Sequence, residues 1–163
     1  MFTRGVRVAS LTAIALTLAA AAPQADPQRD RLTDDGIVKV RSNFGMSETI
    51  DRLKQDIAAK GIMFFTAIDQ SKLAADANIR LRPSTLLSFG NPALGTQFIT
   101  SRQVAGPDWP VRLLVFQDEN GVVWTAYTDF AWIARRHEIK DREAAFDKTT
   151  DVIASITLSV QAK

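Results

Sequence analysis

The dipeptide Asn120-Gly121 is the feature that most constrains the fold, because it lies between two apolar segments and predicts a tight hairpin. Residues 111–117 precede it and residues 122–128 follow it, and both segments are rich in Val, Leu and aromatic residues. An Asn-Gly pair tolerates the positive φ angles that hairpin turns need. Two strands joined by such a turn pair in opposite directions, so the sequence predicts an antiparallel sheet.

The segments before this hairpin also have clear periodicities. Residues 36–42 alternate between apolar and polar, which predicts a half-buried strand. Apolar residues at helical spacing predict a helix that begins with Ser47 as its N-cap and is closed by Lys60 and Gly61. Residues 62–68 are more apolar and predict a second strand, which we expect near the centre of the sheet.

The remaining segments complete the predicted fold. Residues 85–89 predict a strand, and residues 141–156 predict a final amphipathic helix. Residues 69–78 predict a short helix or a loop, and short helices are expected within residues 93–102 and 131–136. The main order is therefore strand, helix, four strands, helix. This order predicts an α+β domain over residues 36–160, an antiparallel sheet with helices packed on one face.

The N-terminus reads as an export signal. Arg4 and Arg7 precede an apolar, alanine-rich stretch that ends at residue 22, and a polar segment over residues 23–35 predicts a disordered linker. The stretch is short for a membrane span, although an uncleaved N-terminal anchor is the alternative. We therefore expect a periplasmic or secreted protein with no stable membrane insertion after cleavage.

Charge and cysteine content exclude several function classes. The chain has 20 Lys and Arg against 18 Asp and Glu, and the predicted cleavage removes Arg4 and Arg7, so the mature protein is close to neutral. A nucleic-acid-binding domain is usually basic, so none is expected as a partner. With no cysteine, the chain has no disulfide, thiol nucleophile or lipoprotein attachment site.

Several short motifs recur together along the chain. The strongest is Phe-Gly-Asn-Pro-x-x-Gly-Thr over residues 89–96, and the others are Leu-Arg-Pro at 81–83, Asp-Trp-Pro-Val-Arg at 108–112, Gly-Val-Val-Trp at 121–124, Tyr127 with Asp129, and Arg136-His137. Over residues 37–156 this combination resembles the domain-of-unknown-function family DUF302. The resemblance implies a fold of the TATA-binding-protein class, often dimeric, with no established biochemical activity.

The chain departs from the family pattern at two places. Many relatives carry Ile-Asp-His where this chain has residues 68–70, and Tyr-Asn-Asp where it has residues 127–129. His137 is therefore the single histidine of the chain. A mechanism that needs two histidines is not expected, and one histidine without further ligand spacing predicts neither a metal site nor a cofactor.

These motifs cluster in predicted loops, which often carry binding sites. We expect a pocket that holds a small polar or anionic ligand, with charge from Arg136 and His137 and a hydroxyl from Tyr127. The other residues expected to line it are Asn91, Gly95, Thr96 and Asp108. A purely structural interpretation stays open for two of these motifs. In the first, Asn91 bonds its own backbone in a turn. In the second, the Arg-Arg-His run is a solvated helix end.

Three functional hypotheses follow. The first is an exported ligand-binding or interaction module that forms a homodimer. The second is an enzyme in which His137 acts as general acid or base, with Asp129 or Asp108 as its partner. The third is a structural partner protein in which Trp109 and Trp132 are buried by self-association or by another envelope protein.

Overall fold

A computed structural model describes Thr33 and residues 35–161. The predicted signal peptide, residues 1–22, lies outside the described residues. So does the predicted linker, residues 23–35, apart from Thr33 and Asp35. Among the described residues, no helix is both long enough and apolar enough to cross a membrane.

Five strands and five helices follow one another in the described part of the chain. They are β1 (Ile37–Arg41), α1 (Met46–Ala59), β2 (Met63–Asp69), α2 (Gln70–Asp76), β3 (Ser84–Gly90), α3 (Pro92–Ser101), β4 (Val111–Gln117), β5 (Val123–Thr128), α4 (Phe130–Arg136) and α5 (Glu143–Leu158). A short 3₁₀ helix (Gln103–Asp108) connects α3 to β4. The predicted α+β class and the predicted order of strands are confirmed.

The strands form one antiparallel sheet in the order β1-β5-β4-β3-β2. The predicted hairpin joins β4 to β5: Gly121 has φ of +79°, and the Asp118 N–H donates to the Val122 carbonyl at 2.9 Å. The Trp124 indole Nε1–H donates to Asp118 Oδ2 at 2.8 Å. This hydrogen bond, the largest cause, lowers the pKa of Asp118, because it stabilises the ionised carboxylate.

The position of β2 differs from the prediction. We expected this apolar strand near the centre of the sheet, but it is an edge strand and all seven of its residues are exposed. Met63 is 53% exposed and Phe65 is 43% exposed. The central strands are β5, β4 and β3, and in β4 buried residues alternate with more exposed ones. Apolar composition therefore did not correspond to a central position here.

The start of α1 also differs from the prediction. The N-cap is Gly45, which has extended backbone angles and makes no side-chain cap hydrogen bond, and Ser47 lies inside the first turn. The end of the helix is as predicted. The Lys60 N–H donates to the Asp56 carbonyl at 3.1 Å, and Gly61 has a φ of +65°, a conformation that glycine adopts without strain.

The hydrophobic core lies between one face of the sheet and the two long helices. Alternate strand residues are buried together with one stripe each of α1 and α5. The fully buried members include Leu53, Ile57, Leu87, Leu113, Val115, Ile153 and Ile156. On the opposite face of the sheet, Leu86, Leu114 and Phe116 are only partly buried. The fold therefore has one fully packed sheet face and one partly exposed sheet face.

We predict a large stability difference between two truncations on α5. Ile156 is 0% exposed and Leu158 is 57% exposed. Ile156→Ala should lower the free energy of unfolding by about 2–5 kcal/mol, since it leaves a cavity in the core. Leu158→Ala should change it by about 0.5 kcal/mol or less. Urea denaturation of both variants measures the difference, and equal effects would contradict this description of the core.

Candidate functional site

The strongest sequence motif forms the junction between β3 and α3. Asn91 is the N-cap of α3, and its Oδ1 accepts a hydrogen bond from the Leu94 N–H at 3.2 Å. Pro92 follows as the first helical residue, where its missing N–H costs nothing. The Thr96 hydroxyl donates to the Pro92 carbonyl at 2.7 Å. Asn91 Oδ1 and the Thr96 hydroxyl are therefore both bonded to their own helix.

The two glycines of this motif make room for the Trp109 indole. A Cβ atom placed on Gly90 would lie 2.2 Å from Trp109 Cη2, and one placed on Gly95 would lie 2.2 Å from Cε3 and Cζ3. No real Cβ contact is this short, so any side chain at either position would force the ring to move. We call Gly90 and Gly95 the glycine cradle. Close packing against Trp109 explains why both positions are glycine.

The Asp108 carboxylate, directly before Trp109 in the chain, is a buried ionic centre. Its side chain is 5% exposed, and Asp108 Oδ2 lies 2.6 Å from His137 Nε2, whose side chain is 9% exposed. Arg112 lies 3.3 Å from Asp108 Oδ1 and Arg136 lies 3.4 Å from Oδ2, but both arginines are about half exposed. His137 is therefore the buried partner, and solvent screens the two arginines.

The Asp108 contacts tie three elements together. Asp108 ends the 3₁₀ helix, Arg112 lies in β4, and His137 is the C-cap of α4. Because Asp108 precedes Trp109 directly, these contacts also hold the backbone that carries the indole. We call Asp108 with His137 the Asp108 anchor. The bond between Asp108 and His137 holds the Asp108 side chain against the end of α4.

Asp129 and Tyr127 lie at a different place from the glycine cradle. Asp129 is the N-cap of α4, and its Oδ1 accepts from the Trp132 N–H at 2.6 Å. The His137 ring contacts Asp108, and its Nε2 lies 2.6 Å from Asp108 Oδ2. Tyr127 is 5% exposed and lines a cavity of about 20 Å³ together with Asp108 and Arg112. This volume holds about one water molecule.

A larger groove opens beside Trp109, with a volume of about 470 Å³. It lies between the β3–α3 junction and α5, and it is mainly apolar. Its apolar lining comes from Ile62, Phe89, Leu94, Trp109, Val111 and Val152. Its polar lining comes from Lys60, Asn91, Lys148, Thr149, Asp151 and Ser155. The volume is within the range of small-molecule sites.

The residues predicted to form one pocket are thus divided among different places. Asn91 lines the groove, Gly95 and Thr96 lie in α3, and Asp108 and Tyr127 line the small cavity. Arg136 and His137 contact Asp108. Sequence reasoning missed the α5 wall of the groove. Its one available signal was the spacing of Lys148, Val152 and Ser155, which puts them on one side of the helix.

The comparison with known proteins covers the region of the chain that contains these motifs. The sequence matches the family described as "Domain of unknown function DUF302" over residues 38–156, which include the glycine cradle, the Asp108 anchor and most of α5. The chain belongs to the DUF302 family. The predicted family is therefore confirmed.

A solved DUF302 structure shares the fold. It is the crystal structure of an uncharacterised conserved DUF302 protein from Bacillus stearothermophilus, with a TM-score of 0.70 and 17% sequence identity. The match covers 77% of this chain and 98% of the other. At this identity the likeness concerns the fold alone.

Curated relatives are found in Brucella. The chain is 35% identical over 113 residues to fluoride-specific ion channel FluC 1 of Brucella suis, and also to FluC 1 of Brucella abortus. The match covers 69% of this chain but 44% and 42% of the respective relatives. The chain therefore spans less than half the length of these curated relatives.

We predict that the glycine cradle does not tolerate a methyl group. Gly95→Ala should lower the free energy of unfolding by about 1–3 kcal/mol through overpacking against Trp109. This loss should exceed the stabilising effect of alanine over glycine in a helix, which is at most about 1 kcal/mol. The matched control is Gly106→Ala, because a Cβ at Gly106 would meet no atom within 4 Å. Chemical denaturation of both variants measures the difference. A Gly95→Ala protein as stable as the control would contradict the cradle.

Proposed function

We propose that this protein is an exported small-ligand-binding module, and that the groove beside Trp109 is its binding site. One observation carries the proposal: Gly90, Asn91 and Trp109, which belong to two of the sequence motifs, all line this groove. The glycine cradle and the Asp108 anchor then act together, since they hold the Trp109 wall in place. Binding sites are commonly apolar clefts of this size with a few polar groups at the edge.

The lining favours a mainly apolar ligand with one polar or anionic group. Lys148 on α5 is exposed and supplies a positive charge at the edge of the groove. The second lysine, Lys60, lies 2.6 Å from Asp56 in an ion pair, so its charge is largely compensated. Asp151 adds one negative charge. Lys148 is therefore the side chain best placed to contact a carboxylate or a similar group.

The name of the Brucella relatives does not supply the ligand. They are named as fluoride-specific ion channels, but this chain matches less than half of their length. The proposal for this chain is therefore ligand binding by the described domain.

The enzymatic hypothesis has less support from the geometry. His137 Nε2 faces the buried Asp108, and the His137 side chain is 9% exposed. Asp129 Oδ1 is bonded to the Trp132 N–H, so it serves as a helix cap. A general acid or base must reach a substrate proton within about 3 Å, and the groove lining includes neither His137 nor Asp129.

Export remains a proposal from the N-terminal sequence. Arg4, Arg7 and the apolar stretch to residue 22 support a cleaved signal peptide. The mass of the protein recovered from the periplasmic fraction tests it. A mass without the first residues, up to about residue 22, is expected, whereas a full-length product in the membrane fraction would favour the anchor alternative.

We predict that a bulky residue at the groove edge strongly weakens the binding of a small ligand. The probe is 1-anilinonaphthalene-8-sulfonate, which combines an apolar body with one anionic group, and its fluorescence is measured in a titration. Ser155→Trp fills the groove edge and should weaken binding at least tenfold. Lys148→Gln removes one charge contact and should weaken binding by a factor of about 3–10, equivalent to about 0.7–1.4 kcal/mol.

The matched control for this experiment is Asp147→Trp. Asp147 is exposed on the same helix but does not line the groove. This variant should bind the probe like the unmodified protein, and circular dichroism should show all variants folded. Equal binding by Ser155→Trp and Asp147→Trp would contradict the groove as the site. Native mass spectrometry of protein from the periplasm then serves to identify the natural ligand by its mass.

A second candidate function is self-association, which β2 favours. Seven large apolar side chains are exposed between Met63 and Leu81: Met63, Phe64, Phe65, Ile68, Leu73, Ile79 and Leu81. The opposite edge strand, β1, instead carries Lys39 and Arg41. Charged side chains protect an edge strand from pairing with another chain, whereas β2 has no charge before Asp69. A second copy could pair its own β2 antiparallel, which forms a closed two-fold dimer.

We predict that a charge on this edge prevents dimer formation. Ile68→Lys should shift the protein from dimer to monomer in analytical ultracentrifugation, because it places an ammonium group in the pairing surface. Leu158→Lys is the matched control, since Leu158 is also an exposed aliphatic residue but lies on α5. A monomeric unmodified protein at all concentrations would contradict self-association.

A further inference from the structure

The Leu-Arg-Pro motif at residues 81–83 has no part in the groove beside Trp109. It lies between α2 and β3 and forms one side of a separate cavity of about 570 Å³. The lining residues are Arg80, Leu81, Arg82, Pro83, Ser84, Leu114, Phe116 and Gln117. Two arginines therefore line a cavity that is separate from the proposed ligand-binding groove.

The floor of this cavity is apolar. Leu114 and Phe116 belong to β4 and point away from Leu113 and Val115, which are fully buried in the core. Phe116 pairs with Ser84 of β3, so the floor continues across two strands. Both floor residues are only partly buried and offer apolar surface to a ligand. Exposed Ile79 and Leu81 extend this apolar surface beyond the cavity.

One wall of the cavity is positively charged. The Arg82 Nε–H donates to the Gln117 carbonyl at 3.3 Å, which orients its guanidinium group. Two acidic groups lie near Arg82. Glu119 is 3.9 Å away, with both side chains mostly exposed, and Asp118 lies close enough to interact with the charge of Arg82. Neither carboxylate lines the cavity, which contains no Asp or Glu. Solvent screens the exposed Arg82–Glu119 pair, so the described residues compensate the charge of this wall only in part.

We propose that this cavity binds an amphiphilic oxyanion, a phosphate or carboxylate group carried by an apolar body. Arginine donates several N–H groups in a planar fork, which matches the oxygen atoms of such an anion. Arg80 and Arg82 hold the anionic group, and Leu114 and Phe116 contact the apolar part. The ligand is either a soluble amphiphile or the headgroup region of an anionic lipid. This site lies on the other side of the sheet from the core helices and is independent of the groove beside Trp109.

The test uses three probes on the protein without its predicted signal peptide, residues 1–22. Dodecyl phosphate below its micellar concentration and inorganic phosphate are measured by isothermal titration calorimetry. Vesicles of phosphatidylglycerol, with phosphatidylcholine vesicles for comparison, are measured by flotation. Dodecyl phosphate should bind at least tenfold more tightly than inorganic phosphate. Additional binding to the phosphatidylglycerol vesicles assigns the natural ligand to a lipid, and its absence assigns it to a soluble amphiphile.

The variants test whether the arginines form the site. Arg80→Gln with Arg82→Gln should weaken dodecyl phosphate binding at least tenfold. Arg82→Lys, which keeps the charge but loses the fork, should weaken it by a smaller factor. The matched control is Arg135→Gln with Lys140→Gln, which removes the same charge from exposed positions outside the cavity. Three results would each overturn the proposal: no binding of dodecyl phosphate, equal affinity for inorganic phosphate, or equal losses in the arginine and control variants.

Discussion

The contact between the Trp109 indole and the glycine cradle is the interaction on which the proposed site depends. Gly90 ends β3 and Gly95 lies in α3, and each approaches the ring so closely that a single added carbon would overlap with it. The ring can lie there only because both residues lack a side chain. Trp109 in turn forms a wall of the groove beside α5. The backbone of one motif thus determines the position of the main aromatic surface of another.

The Asp108 anchor supports this contact from the other side. A buried carboxylate without a partner is costly, and a hydrogen-bonded partner offsets part of that cost. His137 supplies this partner at 2.6 Å, while the half-exposed arginines add weaker, screened interactions. Such a pair contributes more to a fixed geometry than to net stability. In this account the glycine cradle and the Asp108 anchor position Trp109. Asn91 and Asp129 cap helices, and the groove binds the ligand.

Much of the fold could be predicted from local patterns. The Asn-Gly turn, the glycine after α1 and the apolar stripe of α5 are each determined by neighbouring residues, and each was found in the expected place. The position of β2 could not be predicted, because an apolar edge strand and an apolar central strand have the same composition. The N-cap of α1 was misplaced by two residues because Gly45 caps the helix without a side-chain hydrogen bond.

The candidate site was less predictable than the fold. Asn91, Asp108 and His137 could be selected from the motifs, but their partners depend on tertiary packing. Asp108 and His137 are 29 residues apart in the sequence. The groove is lined by residues at the end of α1, in β3 and on α5. No periodicity in the sequence shows that these distant residues lie together. The capping bond of Asn91 was recognisable only as one of several alternatives, and that of Asp129 was not predicted.

A double-mutant cycle between Gly95 and Trp109 tests the central claim most directly. The free energies of unfolding are measured for Gly95→Ala, Trp109→Ala and the double variant. If the methyl group of Gly95→Ala overlaps with the indole, it should cost little once the ring is absent, and a coupling of about 1 kcal/mol or more is expected, within the range known for residues in contact. Additive effects, within about 0.3–0.5 kcal/mol, would contradict the account, because they would mean that Gly95 and Trp109 act independently.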